Sequence, residues 1–368
     1  MKIPIVQFIT LTFSSFVAVA VDPPASPSAS ELLAKYTAAL NRSQSIILKF
    51  EGSSDSLNQF IKVTGPSDSF DGTRVSGRPM KSYYRIEIRS DGRRYGICIY
   101  HWGNVGSATE WTPENQPAYN SLFWDGRQMY GQNKGINKPG SVGLASLENN
   151  VTSNNHQMLL NGTAYSEMRG YLPPAEQRLD ALVRAARSLS VRPRAESVNG
   201  AACYVLDAVT DYGRVCLWLD PAHGHQAARA TQNISPGNMN IGGQRIPAGS
   251  TEQRSFEVTR FEQKGDVWVP VEIKVSSDMN FATTHEFSHA TATFKCTEVI
   301  LNPDHDALHS FDWTHDPELK DGTVIHEIGP GGIEQARLVW RGGKPVPDTT
   351  WHPRGRGAAA STSQPRKQ

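Results

Sequence analysis

The sequence predicts an α+β protein built mainly from antiparallel strands, and three observations lead to that fold class. A single helical stripe of apolar residues near the N-terminus precedes many short segments in which apolar and polar residues alternate. Alternation with a period of two is typical of strands that are buried on one face. The 31 Gly and 23 Pro among the 368 residues suit the many turns that such a sheet requires.

The first predicted element is a helix. Ser28 and Glu31 have the spacing of a capping box, and an apolar stripe runs from Leu32 to Leu40. A strand over residues 45–51 follows, because this segment is rich in β-formers.

Two hairpins come next, and each turns at an Asp-Gly pair. In the first, over residues 81–100 with the turn at Asp91-Gly92, the residues Tyr84, Ile86 and Ile88 share one face. The second spans residues 122–130.

The second half of the chain is predicted to be a meander. A loop over 131–156 and a helix over 173–189 precede it. Its strands cover 201–209, 214–220, 256–263, 267–275 and 290–301. In the fourth of these, every second residue from Val267 to Val275 is apolar, which predicts a half-buried antiparallel strand.

The composition excludes several classes of protein. Lys and Arg total 37 and Asp and Glu total 36, so the net charge of +1 argues against binding to nucleic acid. The mean hydropathy of -0.45 excludes a polytopic membrane protein. The sequence contains no phosphate-binding loop, nucleophile elbow or dinucleotide fingerprint, so we predict neither a cofactor nor an enzymatic activity.

The N-terminus has the features of an export signal. Lys2 precedes an apolar run over 3–21, and Ala18 and Ala20 are the small residues that signal peptidase requires. We predict a signal peptide that is cleaved near Ala20 and a mature protein that is periplasmic or secreted from a bacterium. An uncleaved membrane anchor is the alternative.

The predicted domain organisation follows from composition. After a signal peptide at 1–20, residues 21–30 are predicted to form a flexible linker. Residues 31–345 form the folded domain, and 346–368 form a small, polar, disordered tail.

One motif resembles the zinc-binding sequence of metalloproteases. His285, Glu286 and His289 match H-E-x-x-H, which binds zinc when both His lie on one face of a helix. The flanking segments are rich in Thr and lack a helical stripe, so a strand is expected here. His residues four apart in a strand are about 13 Å apart. A zinc hydrolase is therefore the alternative and not the preferred function.

A second group of His residues follows near the C-terminal end. His305, His309, His315 and His326 lie among Asp304, Asp306, Asp312 and Asp316. Such residues bind zinc or similar ions, but an exposed polar loop collects the same residue types. The sequence leaves both interpretations open.

The cysteines also leave two interpretations open. Cys98, Cys203, Cys216 and Cys296 can form disulfides in an exported protein, with three pairings available. They can equally be four buried free thiols.

Several segments, taken in order, carry a resemblance to a known family. Residues 31–40 and 45–51 resemble its opening helix and first strand, and FWDGRQMY at 123–130 resembles its strand–turn–strand step. CLWLDPAHG at 216–224 resembles its Trp–Asp-Pro–Gly segment, and 297–303 resembles its closing strand. The family is the LolA/LolB-like superfamily of periplasmic lipoprotein carriers.

This resemblance implies a strongly curved antiparallel sheet, an unclosed half β-barrel, with a few helices covering its concave face. It also implies an apolar cavity for a lipid or acylated ligand, with a lipid or lipoprotein as partner and transient contact with a membrane. Eight apolar residues are expected to line that cavity: Phe50, Tyr84, Ile86, Ile88, Val269, Val271, Ile273 and Phe294.

The chain also departs from the carriers. It is longer, and no residue matches the Arg that locks their lid, so binding of an apolar ligand is expected rather than lipoprotein transport itself. A third alternative is a cell-envelope interaction module in which Trp102, Trp111 and Trp124 contact glycans or partner proteins.

Overall fold

The computed structural model describes most of the predicted folded domain. The residues described are 27–60, 79–103, 117–134, 144–148, 178–239, 245–282, 286–329 and 333–351. The predicted signal peptide, His285, Trp111 and most of the predicted tail lie outside them.

Two α-helices and two 3₁₀ helices, Pro221–His223 and Trp313–His315, occur in the described residues. Helix α1 spans Ala29–Arg42 and begins with the predicted capping box, in which Glu31 N donates to Ser28 Oγ and Ser28 N donates to Glu31. The predicted linker therefore ends earlier than residue 30. Helix α2 is a short helix, Leu179–Arg184.

Seventeen strands make up the rest of the described regular structure. Their bounds are β1 Ser45–Phe60, β2 Pro79–Asp91, β3 Tyr95–Gly103, β4 Ala118–Trp124, β5 Met129–Lys134, β6 Leu144–Glu148, β7 Ser188–Val191, β8 Glu196–Val198, β9 Ala201–Thr210, β10 Gly213–Asp220, β11 Gln226–Ile234, β12 Thr251–Lys264, β13 Val267–Phe281, β14 Glu286–Leu301, β15 Val324–Gly329, β16 Ile333–Arg341 and β17 Lys344–Pro347.

The strands pair into one large sheet in which β1 is central. On one side of β1, β14 leads through β13, β12, β11 and β10 to β9, with β7 and β8 beyond it. On the other side, β2 leads through β3, β4 and β5 to β6, β15, β16 and β17. All of these pairs are antiparallel except β6 with β15.

The sheet is open. No described pairing joins β17 to β7 or β8, so the antiparallel sheet is curved and unclosed, as the predicted fold class requires. Helix α1 contacts α2 and strands β9, β11 and β13, which places both helices against the inner face of the sheet.

Three clusters of buried apolar residues stabilise this arrangement. The largest, the main core, comprises Leu32, Leu33, Tyr36 and Leu40 of α1, Leu179, Leu182 and Val183 of α2, and inward residues of the sheet including Ile46, Leu48, Phe50, Ile86, Ile88, Ile97, Leu217, Leu219, Phe256, Val258, Val269, Val271, Ile273 and Phe294. The aromatic core comprises Cys98, Tyr119, Phe123, Tyr130, Ile325 and Trp340. The outer cluster comprises Val198, Cys203, Val205, Cys216, Trp218 and Ala228.

Three predicted segments differ from the structure. Part of the predicted loop 131–156 is strand, because β5 continues to Lys134 and β6 pairs with both β5 and β15. The predicted helix over 173–189 is helical only over Leu179–Arg184 within the described residues, since Leu189 lies in β7 opposite Ala208. Strand β17 crosses the domain boundary predicted at 345.

The four cysteines are free thiols, and all are buried. Burial raises the pKa of the Cys98 thiol to about 12, so this thiol stays protonated. The thiols therefore pack as small apolar groups, which is the second of the two interpretations that the sequence left open.

Candidate ligand-binding core

The eight predicted cavity residues lie on four neighbouring strands. In the pairing of β1 with β2, Phe50 is opposite Ile86. In the pairing of β13 with β14, Ile273 is opposite Phe294. Because β1 also pairs with β14, the register brings residues from both halves of the sheet to one inner surface.

Seven of these residues are buried in the main core. Phe50, Ile86, Ile88 and Ile273 are 0% exposed, and Val269, Val271 and Phe294 are no more than 3% exposed. Tyr84 is half-buried and packs against the same cluster. Their side chains thus contact one another in this structure, and their role in lining a ligand cavity stays a prediction.

Tyr84 is held by three neighbours. Its ring stacks on His101 with centroids 4.9 Å apart and lies 5.9 Å from the ring of Phe294. Its hydroxyl is 3.3 Å from Ser54 Oγ. Burial lowers the pKa of His101, so the stacked imidazole is held neutral. Tyr84 therefore marks the place where the apolar surface meets polar side chains.

Gly52 allows the closest approach in this region. A Cβ atom at Gly52 would lie 2.6 Å from Thr293 O and would overlap the ring of Phe294. The Phe294 ring therefore occupies the space that a side chain at position 52 would need. Because Gly52 has no side chain, β1 and β14 can pack closely at this position.

A small cavity lies between the end of α1 and the sheet. Its volume is about 40 Å³, which is room for about one water molecule. Its lining combines apolar and polar residues: Leu40, Ser43, Gln44, Ile46, Leu48, Gly92, Arg178, Gln226, Val269 and Pro270. One predicted cavity residue, Val269, contributes to it.

A buried carboxylate fixes the short helix α2 beside this cavity. Asp180 is 1% exposed, and Arg178 donates to both of its oxygens, from Nε at 2.7 Å and from Nη2 at 2.8 Å. Burial alone would raise the pKa of Asp180, but hydrogen bonds from Arg178 and Thr37 outweigh it and hold the pKa below its usual value. Asp180 is therefore ionised, and it ties α2 to α1.

The hydroxyl group of Tyr36 contrasts with this pair. Tyr36 lies on α1 and is 1% exposed, yet its hydroxyl has no hydrogen-bond partner among the described residues. Burial raises the pKa of Tyr36, and the Asp180 charge adds to that effect. Helix α1 is thus attached to the core by apolar packing and by hydrogen bonds from Gln226 to Ala39 O and from Arg184 to Thr37, and its largest buried side chain adds no directional bond.

The structure also bears on the H-E-x-x-H motif. Residues Glu286–Leu301 form β14, so the Glu286 and His289 backbone is extended, as the Thr-rich flanks predict. His289 Nδ1 lies 2.6 Å from Asp278 on the adjacent strand. The helix that a metalloprotease site of this type requires is absent from residues 286–301.

The later His residues separate into different environments. His305 is buried, and His326 pairs with Glu334 at 2.8 Å. His309, Asp312 and His315 come together instead, with their ligand atoms all within 4.8 Å of one another.

The tryptophans of the interaction-module alternative are half-buried where they are described. Trp102 lies beneath the guanidinium of Arg85, 5.9 Å from its ring centroid, and stacks with Tyr100. Trp124 ends β4. Their contact with glycans or partner proteins stays a prediction.

Several residues of the site were not among the predicted ones. Leu217 and Leu219 of β10 and Phe256 and Val258 of β12 belong to the main core, and the same alternation that identified β13 could have found them. Gln226 could not have been found, because a polar residue at a buried position leaves no pattern. Its Nε2 donates to Trp268 O at 3.1 Å.

Comparisons with known proteins give only distant similarities. No family model and no curated protein sequence matches the chain. A solved structure of a DUF1329 family protein from Desulfovibrio piger ATCC 29098 is similar at 11% identity, with a TM-score of 0.32, over 75% of this chain and 92% of that chain. The MucA/MucB complex of Pseudomonas aeruginosa is similar at 11% identity, with a TM-score of 0.22, over 77% and 96%. TM-scores this low assign neither family nor function.

A search of the described helices for a membrane span found none with the necessary length and apolar character.

Proposed function

We propose that the protein is an exported, non-enzymatic binding protein that holds the acyl chain of a lipid or acylated ligand between α1 and the inner face of the sheet. The observation that carries the proposal is the main core itself. It is a continuous apolar surface on strands from both halves of an unclosed sheet, and its cover is a helix. Most small-molecule sites are concave and mainly apolar.

The attachment of α1 supports an exchange of helix for ligand. The buried residues of α1 are Leu32, Leu33, Tyr36, Ala39 and Leu40, so the face of the helix that meets the core is apolar, and few hydrogen bonds, such as that from Gln226 to Ala39 O, would have to break. An acyl chain in its place would keep the sheet residues out of water, since the hydrophobic effect is non-directional. The unpartnered hydroxyl of Tyr36 means that moving the helix breaks no hydrogen bond of that group.

The small cavity marks the place where such an exchange would begin. It lies at the C-terminal end of α1, where Leu40 meets Val269. Ser43, Gln44 and Arg178 also line it, and their hydroxyl, amide and guanidinium donors suit the carboxylate or phosphate head of an acyl ligand.

Titration with a fluorescent long-chain fatty acid tests the proposal. We expect saturable binding by the wild type and at least tenfold weaker binding by Val269→Trp, whose indole would fill the cavity. The matched control is Val209→Trp, because Val209 is 41% exposed and faces away from the core. Leu40→Ala enlarges the cavity and should strengthen binding, which keeps the test decisive if Val269→Trp does not fold.

Native mass spectrometry of protein from the periplasm supplies the second measurement. A bound mass that lipid extraction identifies would support the proposal. Protein that carries no lipid and also fails to bind added fatty acid would contradict it.

A further inference from the structure

Three polar side chains converge on the surface segment that follows β14. The ligand atoms of His309, Asp312 and His315 all lie within 4.8 Å of one another. The two imidazole rings are stacked, with centroids 4.3 Å apart and an angle of 6° between their planes. His315 Nδ1 is 3.1 Å from Asp312 Oδ2.

The backbone on both sides of this cluster is fixed to the sheet. Within the segment, Phe311 is buried, and the guanidinium of Arg94 lies 4.6 Å from its ring centroid. Asp306 lies on the N-terminal side. Arg94 also pairs with Asp306 at 2.7 Å. On the C-terminal side, Asp316 is buried and accepts a hydrogen bond of 2.8 Å from the hydroxyl of Tyr119. The three side chains therefore stand on a segment that is held at both ends.

The cluster is open to solvent. The side chains of Asp312 and His315 are 41% and 50% exposed, so an ion from solvent can reach them.

We propose that His309, Asp312 and His315 form a binding site for a divalent transition-metal ion of the Zn²⁺ type. Two imidazoles and one carboxylate are a donor set that suits zinc and copper, and a remaining coordination position is left for water. Tetrahedral zinc ligands stand about 3.4 Å apart. The stacked imidazoles must rotate about their χ angles to direct both in-plane lone pairs at one ion, and the exposed positions of the side chains leave room for that rotation. The site is separate from the proposed apolar ligand site.

Isothermal titration of untagged, chelator-treated protein with ZnCl₂ tests the proposal, and native mass spectrometry counts the bound ions. We expect one equivalent of zinc on the wild type and at least tenfold weaker binding by His315→Ala. His309 has a positive φ of 50°, so His309→Asn is the suitable change there, because Asn tolerates that backbone conformation. Asp312→Asn keeps the cap on Thr314 N while removing the charge, and it should also weaken binding.

The matched control is His289→Ala. His289 and Asp278 form another exposed His–carboxylate pair, 2.6 Å apart, on β14 and β13. Zinc binding should persist in this variant. Absence of binding by the wild type would overturn the proposal, as would undiminished binding by the double variant His309→Asn, His315→Ala. Loss of binding in His289→Ala would place the ion at the H-E-x-x-H motif instead and would equally overturn it.

Discussion

The main core and the aromatic core are both buried, but they differ in the interactions that hold them together. The main core is largely aliphatic, and its largest polar group on α1, the Tyr36 hydroxyl, has no partner among the described residues. In the aromatic core, the Tyr119 hydroxyl donates to Asp316 and the Tyr130 hydroxyl donates to Gln132 Oε1 at 2.9 Å. Apolar contacts are non-directional, whereas hydrogen bonds fix distances and angles.

The difference indicates a division of roles. Because apolar contacts do not fix distances and angles, the main core can accept an apolar ligand, as the proposed function requires. The directional bonds of the aromatic core hold the segment between β14 and β15 in one place, and that segment carries the proposed metal site. Four predictions test this contrast.

The largest effect is expected for Asp316→Ala. This change removes the acceptor for the hydroxyls of Tyr119 and Ser121 and for the backbone N–H of Glu318. Leaving buried donors without a partner should reduce the free energy of unfolding by about 3–5 kcal/mol. Urea denaturation measures this loss, and the control is Asp266→Ala at an exposed residue, with a change below about 0.5 kcal/mol. Equal losses for the two variants would show that the buried bonds do not anchor the segment.

The matched pair Tyr119→Phe and Tyr36→Phe compares the two cores directly. Both tyrosines are 1% exposed, and each change deletes one hydroxyl. Tyr119→Phe should cost about 1.5–3 kcal/mol, because its hydrogen bond is to a buried carboxyl group. Tyr36→Phe should leave the free energy of unfolding unchanged or raise it, since its hydroxyl has no described partner. The contrast between the cores fails if the Tyr36 variant loses as much stability as the Tyr119 variant.

Gly52→Ala tests whether the main core can accommodate one additional methyl group. The new methyl group would meet the Phe294 ring and the Thr293 carbonyl group, so we expect a loss of about 1–3 kcal/mol in thermal or urea denaturation. The double variant Gly52→Ala, Phe294→Leu should recover part of the loss, because the smaller side chain leaves space. No recovery would show that the backbone contact with Thr293 dominates.

The smallest expected effect is the pH dependence of the free energy of unfolding that Asp180 contributes. Because the pKa of folded Asp180 is lowered, its contribution to stability is present above its unfolded value of about 3.9. That contribution is lost as the pH falls through the folded pKa. At pH 7 the free energy of unfolding of the wild type should exceed that of Asp180→Asn, and the difference should shrink below pH 4. A difference that is constant between pH 7 and pH 3 would exclude this electrostatic origin.

Local patterns predicted most of the secondary structure. The capping box at Ser28 and Glu31 predicts the start of α1, and alternation in β2 and β13 predicts which side chains are buried. Both signals depend on residues within a few positions of each other, so they can be read from the sequence.

Contacts between distant segments could not be predicted in this way. Asp316 and Tyr119 are 197 positions apart, and nothing in either segment indicates the other. The same holds for β7, where pairing with β9 overrides a stretch that has helical spacing up to Leu189. The proximity of His309 to His315 could not be predicted for a related reason. The sequence shows that this segment is rich in His and Asp, but the course of the backbone determines which of these side chains lie close together.

The central position of β1 has a consequence for the order of folding. β1 pairs with β2 nearby in the chain, but its other neighbour is β14, and Ile46 lies opposite Leu301. Neighbouring strands form quickly through short loops, whereas such a distant pairing closes a long loop and is slow. The pairing of β6 with β15 also joins distant segments. We therefore expect the hairpins and meanders to form first and the pairings β1–β14 and β6–β15 to form last. Until then one edge of β1 is unpaired, and an unpaired edge is a template for aggregation, so the refolding yield should fall as protein concentration rises.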